Sequence, residues 1–297
     1  MQQTDWSEYQ TFLAIARTGR IGSAAKAMGV DGTTMGRRLR RLERRLGATL
    51  FEQTREGQIL TETGEALLSH VEAMALAAAN IGEEQVAGGL AGTLRISVSE
   101  GFGSWFLSRF LAGFAADNPA LTIDLVANSG FLSPSKREAD LAVTLSRPKA
   151  GPVIARKLSD YALRLYASPD YLAGAGKPEK PSDLARDHRL VGYIPDLLYA
   201  PELGYLDEIG PGLRVALRSS SINAQHRLIA AGAGVGVLPC FIGDADPRLI
   251  CVLPEQRILR SFWLVRHRDT ANLTRVRTFT AYLVDCVQRH RRDLLPS

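Results

Sequence analysis

The sequence predicts an α/β protein with an N-terminal all-α winged helix-turn-helix, a long linker helix and a C-terminal α/β domain. Three observations support this fold class. Apolar residues at helical spacing, with a basic third segment, fill residues 6–46. A coiled-coil pattern without Lys or Arg follows over residues 61–87, and alternating strand and helix patterns begin after Gly92. At 297 residues, the chain is long enough for about two domains.

Three helices are predicted at the N-terminus. Residues 6–18 repeat apolar side chains at helical spacing, and residues 23–28 form a short Ala-rich segment. Asp31 is a favourable N-cap for a third helix that runs to about Leu46 and stops at Gly47. A helix, a short helix and a longer basic helix in this order are typical of a helix-turn-helix.

The third helix separates an apolar face from a basic face. On a helical wheel, the apolar residues fall within about 60 degrees of one another. They are Met35, Leu39, Leu42 and Leu46. The opposite side carries Thr33, Arg37, Arg40, Arg41 and Arg44. One face can pack in a core and the other can meet phosphates and base edges, although a solvated arginine face is the alternative.

Two further elements follow the third helix. Residues 49–60 predict two short strands around Arg55, a hairpin that would serve as a wing. Residues 61–87 predict one long helix, capped by Thr61 or Thr63. Its apolar positions, three and four residues apart, form a coiled-coil seam of Leu67, Val71, Met74, Ala78 and Ile81. Because a lone helix would leave this seam in water, we expect dimerisation through it.

Strands and helices alternate beyond Gly92, which indicates an α/β sheet with parallel strands. The expected strands are residues 94–98, 121–126, 140–145, 161–167, 214–218, 235–238 and 262–266. Helices are expected over residues 102–116 and 221–231 and after the last strand.

Composition and motifs argue against several classes of protein. No signal peptide or membrane span is apparent, so we expect a cytoplasmic protein without a membrane partner. Cys240, Cys251 and Cys286 match no metal-ligand spacing and are expected to be reduced thiols rather than a redox switch. The histidines match no zinc motif, so neither a metal nor a cofactor is expected. Without a GxSxG, Walker or complete dinucleotide motif, no catalytic residue is predicted and the chain is expected not to be an enzyme.

These segments resemble the LysR-type transcriptional regulators over essentially the whole chain. The strongest stretch is residues 12–64, where many residues stand at the spacings of that family's helix-turn-helix. They are Ala24, Ala25, Val30, Arg37, Leu39, Arg40, Leu42, Glu43, Leu46, Gly47, Leu50, Phe51, Leu60, Thr61 and Gly64. The C-terminal part matches more loosely, through residues 92–96, 140–142 and 231–239.

The resemblance implies three parts and a function. The parts would be a DNA-binding domain over residues 1–60, a linker (dimerisation) helix over 61–90 and an effector-binding domain over 91–297. The last would be two-lobed, like a type 2 periplasmic binding protein, with lobe I at about 92–160 and 265–297 and lobe II at about 161–264. The chain would regulate transcription at double-stranded promoter DNA, as a homodimer or homotetramer that responds to a small-molecule effector between the lobes.

The DNA contacts are expected on the third helix and the wing. Thr33, Thr34 and Arg37 lie near the helix N-terminus and would approach base edges in the major groove. Arg40, Arg41 and Arg44 would neutralise phosphates, and Arg38 and Arg55 are also expected to contact DNA.

The effector is expected at the ends of strands, where open α/β sheets bind ligands. By resemblance, the cleft would be lined by Ser99, Glu100, Phe102, Ser104, Asn128, Ser129, Thr144, Tyr193, Ser219 and Ser220. Several hydroxyls beside helix starts suggest a small organic anion. Glu100 argues instead for a basic ligand, because a buried acid would repel an anion. Helix capping is the alternative role of each serine. A solute-binding transport protein would share this domain, but would need a signal peptide.

Overall fold

The computed structural model describes residues 5–55, 57–83, 90–128 and 138–296. The chain divides into two compact units, Met1–Gly88 and Gly89–Ser297, called the N-terminal and C-terminal units below. Within the described ranges, no helix combines the length and the apolar character that crossing a membrane requires.

The N-terminal unit is the winged helix-turn-helix that the sequence predicts, followed by a long helix. Its elements are α1 (Trp6–Thr18), α2 (Ile21–Met28), α3 (Gly32–Leu46), β1 (Phe51–Gln53), β2 (Gln58–Leu60) and α4 (Glu62–Glu83). The strands β1 and β2 pair antiparallel as the wing hairpin.

Local capping explains where the N-terminal helices begin and end. The Asp31 carboxylate accepts a hydrogen bond of 2.8 Å from the backbone N–H of Thr34, which satisfies a free donor in the first turn of α3. Helices α1 and α3 stop at Gly19 and Gly47, whose φ angles of 67° and 65° lie in the left-handed region that favours glycine. These boundaries agree with the predicted ones because the signals that set them lie next to each other in sequence.

The core of the N-terminal unit forms where the apolar faces of its helices meet. Phe12 and Ile15 of α1, Met35 and Leu42 of α3 and Leu50 before the wing are fully buried. Their burial confirms the apolar face predicted for α3 and leaves its basic face outside.

Leu46, the last residue of the predicted apolar face of α3, is exposed rather than buried. Met35, Leu39 and Leu42 are buried, but Leu46 is 41% exposed. Leu46 has nearly the same angular position as the other three, so the difference lies along the helix axis. It is the final residue of α3, beyond the stretch that packs against α1 and α2. The prediction that Leu46 belongs to the core was therefore wrong.

The predicted seam of α4 is only partly free. Val71 is fully buried in the core of the N-terminal unit, and Leu67 packs against that core. Met74 and Ala78 are exposed, while the side chain of Ile81 lies outside the described part of the structure. The expectation that a lone helix leaves the whole seam in water was wrong for Val71, because the unit's own core covers it.

The C-terminal unit alternates strands and helices along the chain. Its strands are β3 (Gly92–Ser99), β4 (Leu121–Asn128), β5 (Leu141–Thr144), β6 (Val153–Ala167), β7 (Leu190–Gly192), β8 (Val215–Arg218), β9 (Val235–Pro239), β10 (Ile250–Val252) and β11 (Ile258–His267). Its α-helices are α5 (Ser108–Asp117), α6 (Pro169–Ala175), α7 (Pro181–Asp187), α8 (Leu206–Ile209), α9 (Ile222–Ala230), α10 (Cys240–Gly243), α11 (Thr274–Arg289) and α12 (Arg291–Leu294).

The strands form one mixed sheet in the order β4-β3-β5-β11-β6-β9-β7-β8, with β10 also paired to β6. Parallel pairing is confirmed for β3 with β4 and β5, and for β7 with β8 and β9. The prediction of parallel strands was wrong for the centre of the sheet, where β6 and β11 run antiparallel to each other. The two-lobed fold explains this pair: the chain passes from one lobe to the other along β6 and returns along β11, so these strands run in opposite directions.

The helix after β3 lies directly on the sheet and begins with wider turns than the sequence predicts. Residues Phe102–Leu107 are π-helical and lead into α5, where an ordinary amphipathic helix is expected from the sequence. A Cβ at Gly103 would lie 2.5 Å from the Ala127 Cβ and 2.6 Å from the Val98 Cγ2. Only glycine allows this close approach of the π-helical segment to β3 and β4.

Gly64 provides a test of how the wing packs on α4. It lies in the first turn of α4, where its N–H donates to the Thr61 hydroxyl over 3.0 Å, and a Cβ there would lie 2.2 Å from the Leu50 carbonyl oxygen. We expect Gly64→Ala to lower the free energy of unfolding of the N-terminal unit by about 1–3 kcal/mol through overpacking. Gly22→Ala is the control, because no atom lies within 4 Å of its added Cβ. Thermal unfolding measures both; equal stability of the two variants would contradict this packing.

Candidate nucleic-acid interface and interlobe cleft

The start of α3 is organised around the Asp31 cap. Both threonine hydroxyls donate to the Asp31 carboxylate, Thr33 to Oδ1 and Thr34 to Oδ2, the latter over 2.7 Å. The Thr33 hydroxyl contributes most to holding the pKa of Asp31 well below its usual range, followed by Thr34. The two threonines are thereby fixed at the exposed N-terminal turn of α3, with their hydroxyl protons directed to the cap.

The exposed face of α3 carries arginines without acidic partners. Arg37, Arg40 and Arg44 are exposed, and none of them takes part in an ion pair among the described residues. The Arg40 Nε instead donates to the Gly36 carbonyl over 3.2 Å, which keeps its side chain along the helix. Their charges are therefore available to a negatively charged partner.

Arg41 differs from the prediction that it is free to neutralise phosphate. Its guanidinium donates to the carboxylates of Asp5 and Glu8 at the start of α1. Glu8 also faces Arg45, whose Nη1 lies 3.0 Å from the Glu8 Oε2 as an ion pair without hydrogen-bond geometry. Because Glu8 is only 1% exposed, these pairs hold α3 against α1. The prediction for Arg41 is corrected accordingly: its charge is already balanced within the unit.

The wing places one further arginine at the surface. Arg55 is exposed in the hairpin between β1 and β2, and Thr54 donates its N–H to the Gly57 carbonyl over 2.8 Å to close the turn. The Gln58 N–H donates to the Gly19 carbonyl over 2.8 Å, which ties the wing to the end of α1.

A partly open cavity lies between the halves of the C-terminal unit. It is lined by Ser99, Gly101, Phe102, Leu145, Tyr161, Leu163, Tyr193, Tyr199, Leu203, Tyr205, Ile222, Pro239, Phe241 and Phe262. The volume of the cavity is about 30 Å³. The cavity is therefore narrow, and aromatic side chains supply much of its wall.

The aromatic side chains of the cavity support one another. Tyr161 of β6 and Phe262 of β11 stack with ring centroids 4.1 Å apart, and Phe102 contacts Phe262 at 4.6 Å. Tyr193 and Tyr205 meet edge to face at 6.4 Å. Such aromatic pairs stabilise the wall of the cavity by more than the burial of their surface alone would.

The tyrosines of the cavity remain neutral. Burial raises the pKa of Tyr161, Tyr193 and Tyr205 well above the usual value, and it raises the pKa of Tyr199 to about 12. The Tyr205 hydroxyl is buried and has no hydrogen-bond partner among the described residues. The cavity therefore contains an unused phenolic donor.

The sequence predicts some of these lining residues and misses others. Ser99, Phe102 and Tyr193 line the cavity as expected. Six other expected residues do not line it: Glu100, Ser104, Asn128, Thr144, Ser219 and Ser220. Ser129 lies outside the described residues. Tyr199 and Tyr205 also line the cavity and are not predicted from the sequence; they follow Tyr193 at successive six-residue intervals, which is the available signal.

The Thr144 and Ser219 side chains make local hydrogen bonds instead. The Thr144 hydroxyl donates to the Ser146 carbonyl over 2.8 Å, and the Ser219 hydroxyl accepts from the Ser221 N–H over 3.1 Å. The capping alternative for the serines applies most directly to Ser221, whose hydroxyl accepts from the Ala224 N–H over 3.1 Å at the start of α9.

Glu100 crosses the cleft to the start of α9. Its carboxylate accepts hydrogen bonds from the Ser221 hydroxyl at 2.8 Å, the Ile222 N–H at 3.0 Å and the Asn223 side-chain amide at 3.0 Å. A carboxylate is favoured at this place because free N–H groups and the helix dipole meet there. The anion at the start of α9 is thus a side chain of the protein itself.

Neighbouring side chains extend this contact. The Trp105 Nε1 donates to the Asn223 Oδ1 over 2.7 Å, and the Asn223 amide also donates to the Ser104 hydroxyl over 3.3 Å. The Trp105 ring meets the His226 ring edge-on at 4.6 Å. The π-helical segment after β3 and the first turns of α9 are therefore joined by several polar contacts. Among the described residues, no cluster of three or more metal-ligating side chains is found.

Two family models match the chain. Residues 6–65 match the bacterial regulatory helix-turn-helix protein of the lysR family, and residues 87–287 match the LysR substrate binding domain. The first match covers the exposed basic face of α3, and the second covers the cleft that Glu100 crosses.

Known proteins of similar sequence and structure agree with these matches. The HTH-type transcriptional regulator PtxR of Pseudomonas aeruginosa is 31% identical over 256 residues, which cover 83% of this chain and 81% of PtxR. The structure of CrgA, a LysR-type transcriptional regulator from Neisseria meningitidis, is 26% identical, covers 95% of this chain and 99% of its own, and has a TM-score of 0.59. Full-length LysG from Corynebacterium glutamicum, solved with bound effector Arg, has a TM-score of 0.70 at 20% identity. The match covers 96% of this chain and 99% of LysG, and at this identity it shows a similar fold alone.

Glu8 provides a test of the contact between α1 and α3. We expect Glu8→Gln to lower the free energy of unfolding of the N-terminal unit by about 1–3 kcal/mol, because it leaves Arg45 beside a neutral group in a largely buried position. Glu52→Gln, on the exposed face of the wing, is the matched control and should unfold like the wild type. Denaturant unfolding followed by circular dichroism measures the effect. Equal stability of the two variants would show that the pairs with Glu8 do not hold the helices together.

Proposed function

The chain belongs to the LysR family of bacterial transcription regulators, and from that premise we propose that it acts at specific promoter sites in response to a small molecule held between its lobes. The observation that carries this proposal is the exposed face of α3. Arg37, Arg40 and Arg44 are exposed there without ion pairs among the described residues, on the longest helix of a winged helix-turn-helix. That element supplies the geometry for docking a helix into the major groove of DNA.

The residues of α3 and the wing divide into two kinds of contact. We assign base-edge contacts to Thr33, Thr34 and Arg37, because the N-terminal turns of a recognition helix reach the base edges. Phosphate contacts are assigned to Arg38, Arg40, Arg44 and Arg55. Arg41 is left out of this set, because Asp5 and Glu8 already balance its charge.

We further propose that the protein acts as a homodimer or homotetramer. Two-fold symmetry in the protein calls for two matching half-sites in the DNA. Met74 and Ala78 are exposed on α4 and continue the seam that Val71 begins, which supports association through this helix.

The effector is proposed to bind in the aromatic cavity of the C-terminal unit. The cavity is concave, largely apolar and supplied with a few hydroxyls, as binding sites for small molecules usually are. Ser99, Phe102 and Tyr193 are assigned to it together with Tyr205. Because the open space is narrow, binding a ligand must change how the lobes meet. A ligand that binds one arrangement of the lobes more tightly than the other favours that arrangement, and this shift is what can change DNA binding.

The experiment selects a binding site from a pool of random duplex DNA with the purified full-length protein, and then measures affinities for the selected and a scrambled duplex across a salt series. We expect Arg37→Ala to weaken binding to the selected duplex by about 10- to 100-fold, through loss of a base contact, with a smaller loss on the scrambled duplex. Arg40→Ala should weaken binding to both duplexes alike and reduce the salt slope by about one.

Arg186→Ala is the control for this experiment. It removes the same charge from an exposed position of the C-terminal unit and should leave both affinities unchanged. Failure to enrich any sequence from the pool would contradict sequence-specific regulation. Equal losses for Arg37→Ala on both duplexes would reassign Arg37 to a phosphate contact.

A further inference from the structure

We infer that the cleft takes a small uncharged aromatic molecule and excludes a carboxylate, because Glu100 already supplies a carboxylate to the start of α9. This inference rests on the proposed function and names the chemical class of its ligand. It replaces the small organic anion that hydroxyl groups beside helix starts suggest from sequence alone.

The anion-binding donors at the start of α9 are already occupied by Glu100. A ligand carboxylate at this end of the cleft would need the donors of the first residues of α9. The Ser221 hydroxyl, the Ile222 N–H and the Asn223 amide all donate to Glu100 at 2.8–3.0 Å. A ligand anion would have to displace Glu100 and leave its charge unpaired inside the cleft, which is costly.

The negative charge of Glu100 also acts on the cavity. Burial raises the pKa of Tyr193 and Tyr199, and the negative charge of Glu100 adds to this effect, so the field of Glu100 reaches the cavity wall. None of the described residues that line the cavity carries a positive charge. A second negative charge in this space is therefore repelled without compensation.

An arginine that acts on the cavity wall, Arg260, does not change this balance. The positive charge of Arg260 acts on Tyr161 and Tyr205, where it opposes the larger effect of burial on their pKa. Its guanidinium is already paired with the Glu208 carboxylate, and its Nε donates to the Glu202 carbonyl over 3.0 Å. Arg260 is thus engaged by neighbouring groups and is not free to receive a ligand anion.

A cation is disfavoured for a different reason. Both oxygens of Glu100 already accept hydrogen bonds, and no carboxylate belongs to the described residues that line the cavity. An ammonium group would lose its water without gaining an unoccupied partner.

An uncharged ring satisfies what the cavity offers. Phe102, Tyr161, Phe262 and their neighbours present ring faces and edges. The Tyr205 hydroxyl, buried and without a partner among the described residues, can donate to one acceptor oxygen. An aromatic molecule with a carbonyl or hydroxyl oxygen meets both requirements, with ring contacts of the kind that stabilise aromatic pairs.

The test compares three probes of similar size with the full-length protein by isothermal titration calorimetry: benzamide, benzoate and benzylammonium. In the wild type, we expect benzamide to bind at least about tenfold more tightly than either ion. In Glu100→Gln, the negative charge is absent, and the affinity for benzoate should come within about threefold of that for benzamide. Glu255→Gln, an exposed position of the same unit, should keep the wild-type preference.

Each result decides the inference. Benzoate binding as tightly as benzamide in the wild type, or an unchanged preference in Glu100→Gln, overturns the role of Glu100. Benzylammonium as the tightest probe shows a cleft for cations, and binding of none of the three overturns the aromatic class. If Glu100→Gln does not fold, two measurements still decide the inference. One is the comparison of the three probes in the wild type, and the other is Tyr205→Phe, which should weaken the binding of benzamide by about three- to tenfold. Selection of a DNA sequence by the same preparation shows that the proposed function stands whichever probe binds.

Discussion

The hydrogen bonds from the start of α9 to the Glu100 carboxylate determine how the two lobes of the C-terminal unit meet. Glu100 follows β3 in one lobe, and Ile222 opens a helix of the other. The start of α9 offers donors that can bind an anion, and a side chain of the protein uses them. The carboxylate at the start of α9 is thus an internal acid, and the described residues that line the aromatic cavity carry no positive charge.

A similar division of charge shapes the N-terminal unit. The arginines of α3 serve two purposes, although they are adjacent in sequence. Arg41 and Arg45 meet the acids of α1 and hold the helices together, whereas Arg37, Arg40 and Arg44 remain free of ion pairs in the described part of the chain. Ion-paired arginines and exposed arginines without ion pairs among the described residues thus lie side by side on one helix, and the paired ones fix the surface proposed to meet DNA to its core.

Local signals explain what the sequence predicts well. Asp31 and Gly47 lie next to the helix ends that they determine, so α3 is predicted within a residue at each end. The pairs that escape prediction join distant residues: Arg41 and Glu8 are 33 residues apart, and Glu100 and Ile222 are 122 apart. A helical wheel shows that Arg41 faces outward, but not that an acid of another helix lies beside it. The antiparallel centre of the sheet was missed for the same reason, since strand direction depends on the path between the lobes.

The most direct test of this account is amide hydrogen exchange at Ile222, read by mass spectrometry with residue-level fragmentation of the full-length protein. The account predicts slow exchange in the wild type and exchange faster by about tenfold or more in Glu100→Ala, because the amide loses its charged acceptor. The Ala231 amide, which donates to the Arg227 carbonyl at the other end of α9, should exchange at similar rates in both proteins. Equal exchange at Ile222 with and without the carboxylate would contradict a cleft held closed by Glu100.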